Sequence, residues 1–272
     1  MTKLNAEWQP FKSGTDIRGV ASDGGPGAIN LTDEAVGRMA DGFILWLSQK
    51  ANKPCRELAV SIGHDSRISA PRLKAAVTAR LIRAGCRVLD CGLSSTPAMF
   101  QSTRALGCDG AVQLTASHHP FYRNGLKFFT PDGGLDGPDI ERILLFAQED
   151  SHPDAAPGGE AVASPFMKEY AASLRRMICD GVGGARPLEG FHIVVDAGNG
   201  AGGFYAGEVL APLGADTSGS RYLEPDGMFP NHIPNPEDKD AMASIREAVL
   251  TSGADFGVIF DTDVDRAGCV DA

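Results

Sequence analysis

Short apolar runs alternate with longer amphipathic stretches along almost the whole chain, and most runs end in a polar or glycine-rich turn. Residues 58–62, 87–91, 110–115, 126–129, 192–195 and 256–260 read as strands, with a shorter one over 16–21 and a weaker one over 217–223. Helical periodicity fills the intervals 32–49, 71–84, 97–106, 136–148, 166–178, 203–213 and 237–250. That order restricts the chain to the α/β class. Local signals agree. Thr32 is placed to cap a helix whose first turn carries Asp33 and Glu34, where negative charge suits the helix dipole. Pro71 opens a helix that Gly85 closes.

Residues 151–164 are rich in Pro, Gly, Ala and Asp and lack an apolar period, so they read as an interdomain linker. The expected domains are 1–155 and 156–272, and 272 residues suffice for a core in each. The expected fold is two consecutive three-layer α/β domains with mixed, mostly parallel sheets. A last strand over 267–271 has barely begun where the sequence stops, so the chain reads as C-terminally truncated.

The net charge of −10 argues against a nucleic-acid surface, which needs clustered Lys and Arg. It leaves room for a small phosphorylated substrate, which needs only a few local cations. No apolar run reaches about 18 residues, so no membrane span is expected. Residues 1–11 lack the apolar core of a signal peptide. The six cysteines form no CxxC pair, which points to free thiols in a reducing cytoplasm rather than a zinc site.

Four segments carry chemistry. Asp261-Thr262-Asp263-Val264-Asp265-Arg266 follows an apolar strand. Carboxylates at alternate positions can converge on one ion if the loop curls, and an oxygen-only anionic set suits Mg²⁺. The plain alternative is a solvated acidic turn. Its place at the C-terminal end of a strand favours a ligand, as does Arg266, which reads as a phosphate fork or a structural counter-ion.

Thr115-Ala116-Ser117-His118-His119-Pro120 offers a serine among polar groups, and Lys127 follows on a hairpin that could bring it back. Ser117 is either a phosphate carrier or an ordinary turn serine. An acyl-transfer role is weak, because no GxSxG elbow is present. Arg18, in Gly14-Thr15-Asp16-Ile17-Arg18-Gly19, is either an anion reader or a surface arginine on a common turn.

The fourth segment is Asp196-Ala197-Gly198-Asn199-Gly200-Ala201-Gly202-Gly203. Gly198, Gly200 and Gly203 have GxGxxG spacing, and Glu224 lies 21 residues beyond Gly203. This supports an alternative reading, a nucleotide-binding oxidoreductase domain built on the Gly198 to Gly203 turn. The bland reading is a tight strand-to-helix turn. A third class is a non-catalytic α/β remnant that binds a partner.

Together these segments, with Glu224 to Glu237 (EPDGMFPNHIPNPE), resemble the α-D-phosphohexomutases, the phosphoglucomutase/phosphomannomutase family. All five occur in the family's order. The resemblance implies an isomerase of carbohydrate metabolism that interconverts hexose 1-phosphate and hexose 6-phosphate through a bisphosphate intermediate. Ser117 is then the phosphoserine of a phosphoprotein. Asp261, Asp263 and Asp265 bind Mg²⁺ with a phosphoserine oxygen, so Ser117 joins the metal set. Arg18, His118 and Lys127 join Ser117 as catalytic residues, and Arg266, Arg18 and Lys127 bind phosphate. The glycine turn is structural and holds no nucleotide.

The resemblance leaves the sugar open among glucose, mannose and glucosamine phosphates, and the oligomeric state open too. It implies no nucleic-acid or membrane partner. Two residues depart from the family's DGDGDR loop, Thr262 and Val264, and a valine is strained if that position needs positive φ. SHHP stands where SHNP is commoner. The family's sugar-recognition and C-terminal phosphate-binding motifs are absent from these residues, so the chain is expected to be the catalytic half and poorly active alone.

Overall fold

The computed structural model describes residues 3–271. Two compact units make up the chain: residues 3–64, 68–92 and 98–164 form the first, and residues 65–67, 93–97 and 165–271 the second.

The first unit contains β1 (Lys12–Ser13), β2 (Asp16–Val20), α1 (Asp33–Ala51), β3 (Ala59–His64), α2 (Ala70–Arg83), β4 (Arg87–Leu93) but for its last residue, α3 (Thr96–Ala105) but for its first two residues, β5 (Gly110–Leu114), β6 (Arg123–Thr130), β7 (Gly133–Gly134), α4 (Gly137–Gln148) and β8 (Glu160–Ala163). Among the described residues the sheet runs β1-β2-β6-β5-β3-β4-β8, with β7 paired to β6. β5 pairs parallel with β3 and β4 with β8, while β1, β2, β6 and β5 are joined antiparallel. Thr32 caps α1 by accepting from Ala35 N at 3.2 Å. Asp136 and Asp139 form a reciprocal capping box on α4. α1 packs on α2 and α4, and Phe43 stacks on Phe128 of β6 with centroids 4.6 Å apart.

β8 corrects the linker expected over 151–164. Its backbone pairs with Arg87 to Asp90 of β4, although its side chains are exposed. Ladder hydrogen bonds place it there, and they need no apolar period.

The second unit contains α5 (Phe166–Val182), β9 (Ile193–Asp196), α6 (Lys239–Ser252), β10 (Phe256–Phe260) and β11 (Ala267–Asp271). β10 is central, parallel to β9 and antiparallel to β11. The strands alternate with period two. Val194 and Ile259 face Ala241, Ile245, Ala248 and Val249 of α6. Val195 and Phe260 face Ala206 and Leu210 on the other side.

Two local expectations fail here. The helix expected over 203–213 is a 3₁₀ turn at Ala201–Gly203, a π-helical stretch at Tyr205–Leu210 and a second 3₁₀ turn at Ala211–Leu213. Pro212 cannot donate to the carbonyl of Glu208. Arg175 Nη1 donates to that carbonyl instead. The strand expected over 217–223 is reduced to one isolated bridge, Asp196 to Arg221, with another, His192 to Asp216, just before it. Its polar turn breaks the ladder: Ser220 N donates to Thr217 O at 3.2 Å.

Candidate active site

In the first unit, β5 and the hairpin to β6 set the serine loop. Ser117 takes the left-handed conformation, φ +51°, and is 5% exposed. Its N–H donates to Thr115 Oγ1 at 2.8 Å, which fixes the turn. His118 Nδ1 lies 3.5 Å from Ser117 Oγ, and the His118 and His119 rings stack with centroids 5.1 Å apart.

Sheet register gathers the cations near this loop. Arg18 of β2 lies opposite Gly125 of β6, and Gln113 of β5 opposite Lys127 of β6. Gly125 and Lys127 are two apart, so the side chains of Arg18, Gln113 and Lys127 share one face. Both cations are buried. Arg18 Nη2 donates to Asp16 Oδ2 at 2.6 Å, and Nη1 to the Thr115 carbonyl at 3.3 Å. The arginine is therefore built into the strand layer and tied to the serine loop. It is not a surface side chain.

In the second unit, β10 delivers the aspartate loop at its C-terminal end, where open α/β sheets place ligands. Asp261 and Asp263 are buried and Asp265 is exposed. One carboxylate oxygen of each lies within 4.8 Å of those of the others. Hard, anionic oxygens this close repel one another without a cation, so the donor set fits a divalent ion that prefers oxygen. Arg266 compensates part of that charge. Its Nη2 donates to Asp261 Oδ2 at 2.8 Å, and its backbone N–H donates to Asp261 Oδ1 at 3.1 Å. Nη1 donates to Asn235 Oδ1 at 3.2 Å. Val264 sits at φ +65°, the positive-φ position anticipated from the family's loop.

The glycine turn after β9 buttresses the metal loop and leaves no cradle for a pyrophosphate. A Cβ on Gly200 would lie 2.6 Å from the Thr262 carbonyl, and one on Gly203 would lie 2.0 Å from that of Leu223. Ala201 N donates to Thr262 O at 2.8 Å. The space that a dinucleotide motif gives its ligand is filled by protein backbone, which corrects the oxidoreductase alternative.

Residues 11–151 match the family described as phosphoglucomutase/phosphomannomutase, alpha/beta/alpha domain I, and residues 168–272 match its alpha/beta/alpha domain II. The chain belongs to this family. A phosphoglucosamine mutase of Pediococcus pentosaceus is 33% identical over 267 residues, covering 95% of the chain and 55% of the relative. A phosphomannomutase/phosphoglucomutase of Pseudomonas aeruginosa is 32% identical over 259 residues, covering 94% and 50%. The chain thus spans about half the length of the curated relatives it matches. A phosphoglucomutase/phosphomannomutase family protein of Burkholderia thailandensis superposes with TM-score 0.78 at 24% identity, covering 98% of this chain and 55% of that one. The Paramecium phosphoprotein parafusin, titled a phosphoglucomutase in open form, gives 0.72 at 19%, covering 99% and 54%. These two likenesses show the fold.

Both the serine loop and the aspartate loop fall within the residues matched to this family. Several other well-placed residues are ones that sequence reading passed over. Thr96 Oγ1 donates to Asp263 Oδ2 at 2.5 Å. His232 Nε2 lies 3.0 and 3.1 Å from the two oxygens of buried Asp196, whose Oδ2 also accepts from Ser244 Oγ at 2.6 Å. Asp65 and Arg67 form a fully buried pair at 3.2 Å, with Phe229 over the guanidinium at 5.3 Å. Each is an ordinary polar residue in the sequence. The one available signal was position, because Asp65, Thr96 and Asp196 all stand at or just beyond the C-terminal end of a strand.

Proposed function

We propose that the chain carries the phosphoryl-transfer machinery of a hexose-phosphate mutase. The observation that carries this is that one chain of this family has both a buried, left-handed serine loop on a sheet with two buried cations and a loop of three carboxylates close enough to share a metal ion. Phosphoryl transfer needs charge neutralisation and in-line positioning more than covalent chemistry from the protein.

In this reading phosphorylated Ser117 gives its phosphoryl group to a hydroxyl of a hexose monophosphate. The Ser117 O–P bond breaks, a sugar O–P bond forms, and the hydroxyl proton passes to a base, a role we give to His118, whose Nδ1 lies 3.5 Å from Ser117 Oγ. Return of the sugar's other phosphate to Ser117 completes the isomerisation. Arg18 and Lys127 hold the transferring group from one face of the sheet. Asp261, Asp263 and Asp265 would hold Mg²⁺, for which an oxygen of phosphorylated Ser117 would be a further ligand in this reading, and the ion would supply further charge neutralisation. Arg266 orients Asp261 and binds phosphate from beside it.

The substrate class is a hexose phosphate, and the bisphosphate is the exchangeable intermediate. The domain assignment we infer is 1–155 and 156–272, adjusted so that β8 stays with the first sheet. No helix among the described residues is long and apolar enough to cross a membrane. None of the six cysteines is in a disulfide, and burial pushes the Cys86 thiol up to about 12 and Cys108 to about 11. Thiols of this kind are poorly reactive, and six unbridged cysteines agree with the cytoplasmic setting we infer.

The test is transfer of phosphate from a hexose 1,6-bisphosphate to a hexose monophosphate acceptor. Transfer should require Mg²⁺ and vanish in Asp263→Asn. Transfer that persists in both EDTA and Asp263→Asn would overturn the proposal.

A further inference from the structure

Thr96 is the first residue of α3 and is 7% exposed. It belongs to residues 93–97, which cluster with the second unit rather than the first. Two bonds join it to Asp263. Its backbone N–H donates to the Asp263 carbonyl at 2.8 Å, and its hydroxyl donates to Asp263 Oδ2 at 2.5 Å.

The chemistry of these bonds is specific. The first N–H groups of a helix have no partner within the helix, so that of Thr96 is available to a neighbouring carbonyl. An ionised carboxylate accepts only, so the hydroxyl must be the donor, and a hydrogen bond to an ionised acceptor is stronger than one between neutral groups. The N-terminal end of α3 carries partial positive charge that favours an anion beside it. One grip fixes the backbone of the loop at Asp263, and the other fixes the rotation of its carboxylate. Holding Oδ2 in place sets the direction in which Oδ1 points.

We propose that Thr96 is a positioning residue for the metal loop: it presets the Asp263 carboxylate for the divalent cation. The inference rests on the metal-loop reading given under the proposed function. Outer partners of this kind orient a ligand and typically govern about 10–100-fold in metal affinity. Thr96 touches neither substrate nor reacting atoms in this account, so its effect is read first in binding.

The experiment is Mg²⁺ titration of the full chain by calorimetry, with thermal unfolding measured alongside. Thr96→Val removes the hydroxyl at nearly constant shape and should weaken Mg²⁺ about 10–100-fold. Thr96→Ser keeps the donor and should restore most of the affinity, which a merely space-filling role would not predict. If Thr96→Val does not fold, Thr96→Cys carries the same prediction, because a thiol is a weaker donor. Wild-type affinity in folded Thr96→Val or Thr96→Cys would overturn the inference. A wild-type chain that binds no Mg²⁺, or Asp263→Asn that binds it as well as wild type, would instead overturn the metal reading beneath it.

Discussion

Arg266 holds both oxygens of Asp261: Nη2 and Nε reach Oδ2 at 2.8 and 3.2 Å, and the backbone N–H reaches Oδ1 at 3.1 Å. Asp261 is fully buried, so without this partner its charge would face a low-dielectric interior. The same guanidinium donates to Asn235, which ties the 231–237 loop to the aspartate loop. Arg266→Ala should therefore destabilise the chain by about 2 kcal/mol, the scale of a lost hydrogen bond to a buried charge. Arg266→Lys should recover only part of it, because an ammonium cannot reproduce the fork. Urea unfolding in EDTA measures both. An Arg266→Ala midpoint equal to that of wild type would show that the pair contributes nothing.

Val264 offers a test of local strain. A β-branched residue at φ +65° occupies a region that glycine adopts freely. Val264→Gly and Val264→Ala both lose the γ-methyl contacts and differ by a single Cβ, so their difference reports mainly on the backbone. The glycine variant should be the more stable by roughly 0.5–1 kcal/mol, because relief of left-handed strain exceeds the entropy cost of glycine. Thermal unfolding of the two variants decides it. Equal stabilities would mean that the loop holds Val264 without strain.

Much of this architecture was legible because it is written in local pattern. The apolar run 256–260 predicts β10 and the placing of Asp261, and Thr32, Pro71 and Gly85 mark helix ends where they are found. What escaped is what depends on distance or on backbone alone. Thr96 and Asp263 are 167 residues apart, and nothing local in either announces the other. β8 is an exposed edge strand whose alternation carries no apolar signal. Pro212 follows the π-helical stretch and cannot donate to the Glu208 carbonyl, and period alone cannot register the lost bond. The glycine turn matched a nucleotide motif in spacing. Only the packing of Thr262 and Leu223 against it shows why glycine is needed.

His232 should make stability pH-dependent. Burial works against a charged ring here, but hydrogen bonds to Asp196 and the Ile233 carbonyl, with the charges of Asp196 and Asp238, outweigh it and raise its pKa above the ordinary 6.5. A raised folded-state pKa means that the stabilisation is fully present below 6.5 and is lost as pH rises through the folded value. The melting temperature of the wild type should fall across that window, and His232→Gln should lose this component of the slope. At low pH in that range, His232→Ala should cost about 3 kcal/mol, because Asp196 is left buried without its cation. Parallel pH profiles for wild type and His232→Gln would contradict the assignment.

The central claim is that Ser117 carries the phosphoryl group. Intact-mass spectrometry with peptide mapping, after incubation with a hexose 1,6-bisphosphate and Mg²⁺, tests it directly. The wild-type chain should gain one phosphate, mapped to Ser117, and Ser117→Ala should gain none. A phosphate mapped to any other residue, or one that persists in Ser117→Ala, would contradict the account.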